Sequence, residues 1–322
     1  MKRVLITGAT GFVGANLARR LVGDGHEVHL LIRHGYSPWR IEAIRDHVRL
    51  HETHLGDEGA LTKVVANIRP DWVFHLAAYG AYSYHTDLRL MVQTNITGTM
   101  NLVSACLETG FEAFVNTGSS SEYGFKDHAS SETECLEPNS YYAVTKASAT
   151  LFCRYTAASR GVHLPTLRLY SVYGPYEEPS RLMPTLIAKG LNGELPPLVN
   201  PDIARDYIYV DDVIEAYLLA ATRHDQEPGA VYNVGTGVQT SLRDVVKVAR
   251  WVLEIGVEPQ WGSMPNRLWD TSTWVSDNRQ IRARLGWRPK HSFEQGFRLM
   301  VNWLRDNPAL WPLYQEPQHT VK

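Results

Sequence analysis

Apolar positions in the first third of the chain switch between two patterns. Arg3–Thr7 (RVLIT) and Glu27–Ile32 (EVHLLI) are short, almost unbroken apolar runs. Between them Val13, Leu17 and Leu21 recur four residues apart, the stripe of a helix running to about Val22. The pattern continues through Trp72–Leu76 (WVFHL) and Ala113–Thr117 (AFVNT), with helical segments between. Strands with little polar alternation are buried on both faces, and their alternation with helices predicts a parallel sheet. Right-handed crossovers make it doubly wound, an α/β fold.

The second half is less regular. Residues 173–201, rich in Pro and Gly, predict loops around one helix near Arg181–Lys189. Arg205–Val210 (RDYIYV) predicts another strand, and a helix follows from about Asp211 to Thr222, with Asp211 and Asp212 as its caps. Trp261, Trp269, Trp274 and Trp287 cluster in residues 256–292 and predict the core of a smaller lobe over the sheet's carboxyl edge, rather than a sugar platform.

A length of 322 residues allows about two domains. Lys plus Arg number 32 against 34 Asp plus Glu, a net charge of -2, which gives no support to a nucleic-acid or membrane-coating protein. Cys106, Cys135 and Cys153 are too scattered for a disulfide framework or a metal knuckle, so a reducing, cytoplasmic setting and no metal are expected. The opening MKRVLITGATG meets glycine too soon for a secretory core, and no stretch is long and apolar enough to span a membrane.

Chemistry enters directly after the first strand. Gly8-Ala9-Thr10-Gly11-Phe12-Val13-Gly14 is a GxxGxxG loop that opens a helix. Glycines permit a tight turn and close approach of a pyrophosphate, and the helix amino end offers it unpaired N–H groups. At the end of the second strand stand Ile32, Arg33 and His34, with no acid to hold a ribose 2′-hydroxyl. Arg33 suits a 2′-phosphate, so NADP is favoured over NAD. Asp57 predicts a helix cap and can also meet the adenine amino group. His75, inside an apolar strand, is expected to be a packed, hydrogen-bonded residue.

Tyr142 and Lys146 stand four apart, which places both on one helix face. An ammonium beside a phenol lowers its pKa from about 10 toward the useful range. Lys146 can also bind a nicotinamide ribose, and Ser119, just past a strand, can orient the reacting oxygen. Alone, Tyr-x-x-x-Lys is commonly a surface pair; joined to the glycine loop and Ser119 it marks hydride-transfer chemistry.

These segments, with HLAA (His75–Ala78), TNITGTMNL (Thr94–Leu102), GSSSEYG (Gly118–Gly124), YAVTK (Tyr142–Lys146), LRLYSVYGP (Leu167–Pro175), RDYIYVDDV (Arg205–Val213), YNVGTG (Tyr232–Gly237) and LGWRP (Leu285–Pro289), carry a resemblance over nearly the whole chain. The chain resembles the extended short-chain dehydrogenases/reductases, in their nucleotide-sugar epimerase/dehydratase branch. The resemblance implies a Rossmann-type domain of seven strands with a smaller C-terminal substrate-binding domain. Residues 1–168 would form the first, with 201–235 returning to it; 169–200 and 236–322 would form the second. Tyr142 would be the acid–base residue, Lys146 its partner and Ser119 the orienting hydroxyl. Leu76, Ala77 and Ala78 would line the cofactor channel, Asn95 would support the central helix beside it, and Thr117 and Tyr170 would face the same cleft. Ser120 and Ser121 would face the substrate. Arg181 would sit near its nucleotide, and Arg205 and Arg267 would meet its diphosphate, which guanidinium groups match bidentately. A homodimer through helices near 88–109 and 143–160 is also implied.

Two departures narrow the activity. Dehydratases of the family carry an acidic or Ser-Glu pair after the orienting hydroxyl, whereas this chain has Ser120 and Ser121, with Glu122 one place late. Serines are ill suited to supply an acid and a base for elimination. Ser171 also replaces an Asn usual in the family. The expected function is NADP-dependent reduction of a 4-keto nucleotide-linked (deoxy)hexose at C4. The alternatives are an NAD-dependent nucleotide-sugar 4-epimerase and, from another class, a non-catalytic dinucleotide-binding regulator.

Overall fold

The computed structural model describes residues 1–82, 84–224, 227–266 and 270–315. Its strands are β1 (Arg3–Thr7), β2 (Glu27–Ile32), β3 (Val48–Glu52), β4 (Trp72–His75), β5 (Ala113–Ser119), β6 (Thr166–Leu169), β7 (Ser171–Tyr173), β8 (Ala204–Arg205), β9 (Tyr207–Tyr209), β10 (Val231–Val234) and β11 (Thr240–Ser241). A seven-stranded sheet has the order β10-β6-β5-β4-β1-β2-β3, and every pairing in it is parallel.

Alternate residues of β1 feed opposite faces, as strand geometry requires. Val4 and Ile6 join Leu17 and Leu21 of the helix Phe12–Gly23, together with Val213 and Tyr217 of the helix Val210–Thr222. Leu5 faces the other way, to Leu61 and Val65 of Glu58–Ile68, Leu102 of Gly98–Thr109 and Cys153 of Tyr141–Arg160. A separate apolar core joins Leu186, Val245, Val246, Phe297 and Val301, on the helices Leu182–Gly190, Leu242–Leu253 and Phe293–Asp306. Ile281, Leu285 and Trp287 pack with the sheet's cluster, not with that third core. Trp287 is therefore not part of the expected lobe core.

Chain order reverses on either side of β1, so the carboxyl ends of β1 and β4 open a crevice, the usual ligand position in such sheets.

Two local expectations fail for long-range reasons. The strand expected over Arg205–Val210 is broken at Asp206. That buried carboxylate accepts from Thr236 N at 2.7 Å, Gly237 N at 3.0 Å and Ser276 N at 3.1 Å. β8 consequently pairs with β11, whereas β9 pairs with β7. Asp212 does not cap its helix, whose N-cap Tyr209 makes no side-chain cap bond. It accepts instead from the backbone N–H groups of Lys290 at 3.0 Å and His291 at 3.1 Å.

His75 is packed and bonded as expected: Nδ1 meets Thr7 Oγ1 at 2.7 Å and Nε2 meets Thr99 Oγ1 at 2.9 Å. Burial, and secondarily the charge of Lys146, lower its pKa from 6.5 to about 3. The unfolded chain therefore takes up a proton near pH 6.5 that the folded chain refuses until about pH 3. Stability attributable to this residue falls as pH drops through that window, by up to about 1.4 kcal/mol per pH unit. Urea unfolding between pH 4 and 6 should show a shallower pH slope in His75→Gln than in the parent. Parallel slopes would contradict this assignment.

Candidate active site

The glycine loop is shaped by close backbone packing. Gly8 has φ +72°, and a Cβ there would lie 2.5 Å from Ala77 N and 2.6 Å from Leu76 C. A Cβ on Gly14 would lie 2.4 Å from Gly8 O. These two glycines fix the turn against the segment leaving β4. Gly11 is the helix N-cap and makes no side-chain cap bond, so the first N–H groups of Phe12–Gly23 are presented without a protein cap. That arrangement fits a dinucleotide pyrophosphate. Thr10, Phe12 and Val13 lie in or directly after this turn. Ala77 N donates to Thr7 Oγ1 at 3.2 Å, which ties the two strand ends together, and Ala78 is exposed beyond it. Arg33 is exposed immediately past β2. Asp57 caps the helix Glu58–Ile68, accepting from Ala60 N at 3.0 Å.

β5 runs two residues beyond the expected apolar strand, because Gly118 and Ser119 pair with Arg168 and Leu169 of β6. Ser119 thus ends the strand and caps a 3₁₀ turn, Ser120–Tyr123. Glu122 closes a reciprocal cap: Ser119 N donates to its Oε1 at 2.8 Å. The same carboxylate accepts from Arg168 Nε at 2.8 Å and Thr150 Oγ1 at 3.0 Å, with both members of the ion pair buried. Ser119 and Ser121 hydroxyls lie 2.7 Å apart, and Ser120 Oγ accepts from Trp274 Nε1 at 3.0 Å. Trp274 therefore belongs to the site wall, not to the lobe core.

Tyr142 and Lys146 project from the helix Tyr141–Arg160, which Ser140 caps. Lys146 Nζ donates to the Thr117 carbonyl at 2.5 Å. Burial lowers the Lys146 pKa, against the pull of Glu122. The expected lowering of the Tyr142 pKa is corrected: burial pushes it up to about 12, and the influence of the Ser119 hydroxyl only partly offsets this. The phenol is thus held protonated near neutrality.

Asn95 is a buried clamp in a π-helical turn, Gln93–Thr97. It accepts from Tyr79 N at 2.8 Å and donates to Tyr79 O at 2.7 Å and Thr145 Oγ1 at 2.9 Å. Its amide is thus engaged with protein, tying the helix Tyr141–Arg160 to the segment after β4. The Thr117 side chain likewise meets Tyr217 OH at 2.6 Å, while its carbonyl accepts from Lys146. Tyr170 contributes to a small cavity beside Ser120.

Arg181 is the N-cap residue of Leu182–Gly190, with Nε 3.8 Å from Glu177 Oε1. Burial raises the Glu177 pKa to about 8, against the effect of Arg181. Arg205 donates to Asp270 Oδ1 at 3.3 Å, and its guanidinium carbon lies 5.3 Å from the centre of the Trp274 ring. Arg267 and Trp269 lie outside the described residues.

The model of the NAD dependent epimerase/dehydratase family matches residues 4–235, and the chain belongs to that family of enzymes. It is 29% identical over 326 residues to the dTDP-glucose 4,6-dehydratase of Streptomyces griseus, covering 96% of this chain and 95% of the relative. The crystal structure of UDP-glucose 4-epimerase from Thermotoga maritima with UDP-glucose superposes with TM-score 0.86 at 26% identity, covering 95% of this chain and 99% of that one. The UDP-glucose 4-epimerase of Thermus thermophilus, complexed with NAD, gives TM-score 0.81 at 29% identity, covering 94% of this chain and 98% of that one. Among the described residues no helix is long and apolar enough to cross a membrane.

Proposed function

We propose that the protein is an NADP-dependent reductase acting at C4 of a nucleotide-linked 4-keto (deoxy)hexose. The observation that carries the reading is the chemistry around Ser119. The two positions after it are serines, and the neighbouring carboxylate of Glu122 is locked under Arg168. The site therefore has hydroxyls where an elimination would need a free acid and base. A nicotinamide cofactor, when bound, supplies hydride. Ser119 holds the sugar oxygen by a hydrogen bond. Tyr142, protonated at neutral pH, donates to that oxygen as negative charge develops on it. Lys146 anchors the strand end through the Thr117 carbonyl. Arg205 and Arg181 serve the diphosphate and nucleotide, and Glu177, largely uncharged near neutrality, leaves the charge of Arg181 for an anion.

NADP is preferred because Ile32 accepts no ribose hydroxyl and exposed Arg33 suits a 2′-phosphate. One charge-assisted contact contributes about 1.5–3 kcal/mol, roughly ten- to a hundred-fold in affinity. Calorimetry should give tighter NADP than NAD binding, with the ratio collapsing in Arg33→Ala. Equal affinities in the parent, or an unchanged ratio in the variant, would remove NADP from the proposal.

A 4-epimerase with NAD is the second reading, favoured by the UDP-glucose 4-epimerase neighbours. Turnover separates the two: a reductase consumes one NADPH per sugar, whereas an epimerase leaves bulk cofactor unchanged. A homodimer is also proposed. Tyr155 is 74% exposed and Leu151 56% exposed on the helix Tyr141–Arg160, beside exposed Leu88, Val92 and Met100 on the neighbouring helical segments.

A further inference from the structure

Glu177 is a buried acid that the proton relay leaves unused. The chain reaches it through a strained turn, in which Tyr176 has φ +68° although it carries a side chain. That turn is clasped from the cofactor side: Asn16 Nδ2 donates to Pro175 O at 2.9 Å and Arg40 Nε donates to Tyr176 O at 2.8 Å. The Glu177 side chain is 6% exposed, and among the described residues its Oε2 has no hydrogen-bond partner. Native proteins seldom keep such an oxygen without a use. Oε1 lies 3.8 Å from Arg181 Nε, well beyond the length of about 2.7–2.9 Å of a charge-assisted hydrogen bond. Arg40, the other cation beside Glu177, is committed to Glu178 at 2.9 Å and to Tyr176 O. Arg181 is the link to the active site. Its side chain is 45% exposed, its guanidinium carbon lies 6.0 Å from the centre of the Tyr82 ring, and its charge acts on the hydroxyls of Tyr142 and Tyr207. Arg181 is therefore open to a ligand, within electrostatic reach of the proton donor, and loosely held by a carboxyl that no other group satisfies.

We propose that Glu177 is a proton switch for the anion site: it takes up a proton from solvent when a phosphate of the nucleotide sugar engages Arg181, and in its ionised form it holds that arginine back. The inference rests on the nucleotide-sugar reading above. Burial raises the Glu177 pKa to about 8, so the carboxyl changes charge across the range from about pH 7 to pH 9. A phosphate at Arg181 adds negative charge nearby and draws the guanidinium charge away from Glu177. Both effects favour the protonated acid, so its pKa rises further in the complex and a proton is bound with the ligand. By the same linkage, affinity falls as pH rises through the pKa of the free protein. The other groups that face Glu177 do not blur this. Arg40 and Glu178 neutralise each other, and burial raises the pKa of Tyr82, Tyr173, Tyr207 and Tyr314, which stay neutral over the range.

Calorimetry of UDP-glucose and dTDP-glucose binding tests this without turnover, at three pH values from 7 to 9 and in two buffers of different ionisation heat. In wild type, affinity should fall about ten-fold from pH 7 to pH 9, and about half a proton per sugar should be taken up at pH 8. Glu177→Gln keeps the side chain's shape but cannot ionise, so its affinity should be flat over the range and its binding heat independent of buffer. Arg181→Gln, which leaves Glu177 protonated throughout, should abolish the uptake as well and serves if the first variant does not fold. Absence of proton uptake in wild type at pH 8, or uptake that persists in either variant, would overturn the switch. Failure of both sugars to bind at every pH would instead overturn the nucleotide-sugar reading, and the switch with it.

Discussion

Tyr142→Phe should retain the fold and cofactor binding and lose about 10²- to 10⁴-fold in turnover, the scale of a positioned proton donor. The loss is expected in kcat, because the phenol acts as charge develops on the sugar oxygen rather than in ground-state binding. Its hydroxyl is under the influence of that of Ser119, while the ring lies close to Gly80, where a Cβ would come within 3.0 Å of Tyr142 Cδ2. Phenylalanine keeps that ring contact, so the melting temperature should barely move. Steady-state rates within a few fold of the parent would remove Tyr142 from the relay.

Glu122→Ala should cost about 3–5 kcal/mol of folding stability, the range for removing one partner of a buried ion pair. The variant would strand the Arg168 guanidinium in the core and leave Ser119 N and Thr150 Oγ1 without their acceptor. Activity of the folded fraction should also fall, since Glu122 fixes the turn that aims Ser119. Glu122→Leu combined with Arg168→Met should recover much of the stability, because no charge is then left unpaired. Denaturant titration of the single and double variants checks both statements. A loss below about 1 kcal/mol in the single variant would contradict the role given to the pair.

The parts of this molecule that follow from local pattern were legible in its sequence. β1 and β2 occupy the residues of the two apolar runs, because strands buried on both faces leave little polar alternation to blur their ends. The glycine spacing and the cap at Asp57 are likewise signalled within a few residues, and His75 is placed by lying inside an apolar run, although its partners Thr7 and Thr99 come from other elements. Legibility ends where distant segments compete for a side chain. Asp206 breaks its strand to serve Thr236, Gly237 and Ser276. Asp212 leaves its helix end for a backbone turn 78 residues away. Trp274 sits over Ser120 across 154 residues, a contact that no spacing rule encodes. Glu122 lies between these cases. Ser119-x-x-Glu122 has the spacing of a reciprocal cap, a local signal, but its burial under Arg168 depends on the pairing of β5 with β6.

The central claim is that hydroxyl-assisted hydride transfer at sugar C4 is the net reaction, and isotope transfer tests it most directly. The purified protein is incubated with NADPH carrying deuterium at the transferable nicotinamide position and with a nucleotide-linked 4-keto-6-deoxyhexose. The product is then examined by mass spectrometry and NMR. The predicted result is one deuterium at C4 of the sugar for each NADPH consumed, with no interconversion of gluco and galacto nucleotides. An unlabelled product, or epimerised sugar formed without net NADPH consumption, would contradict the account.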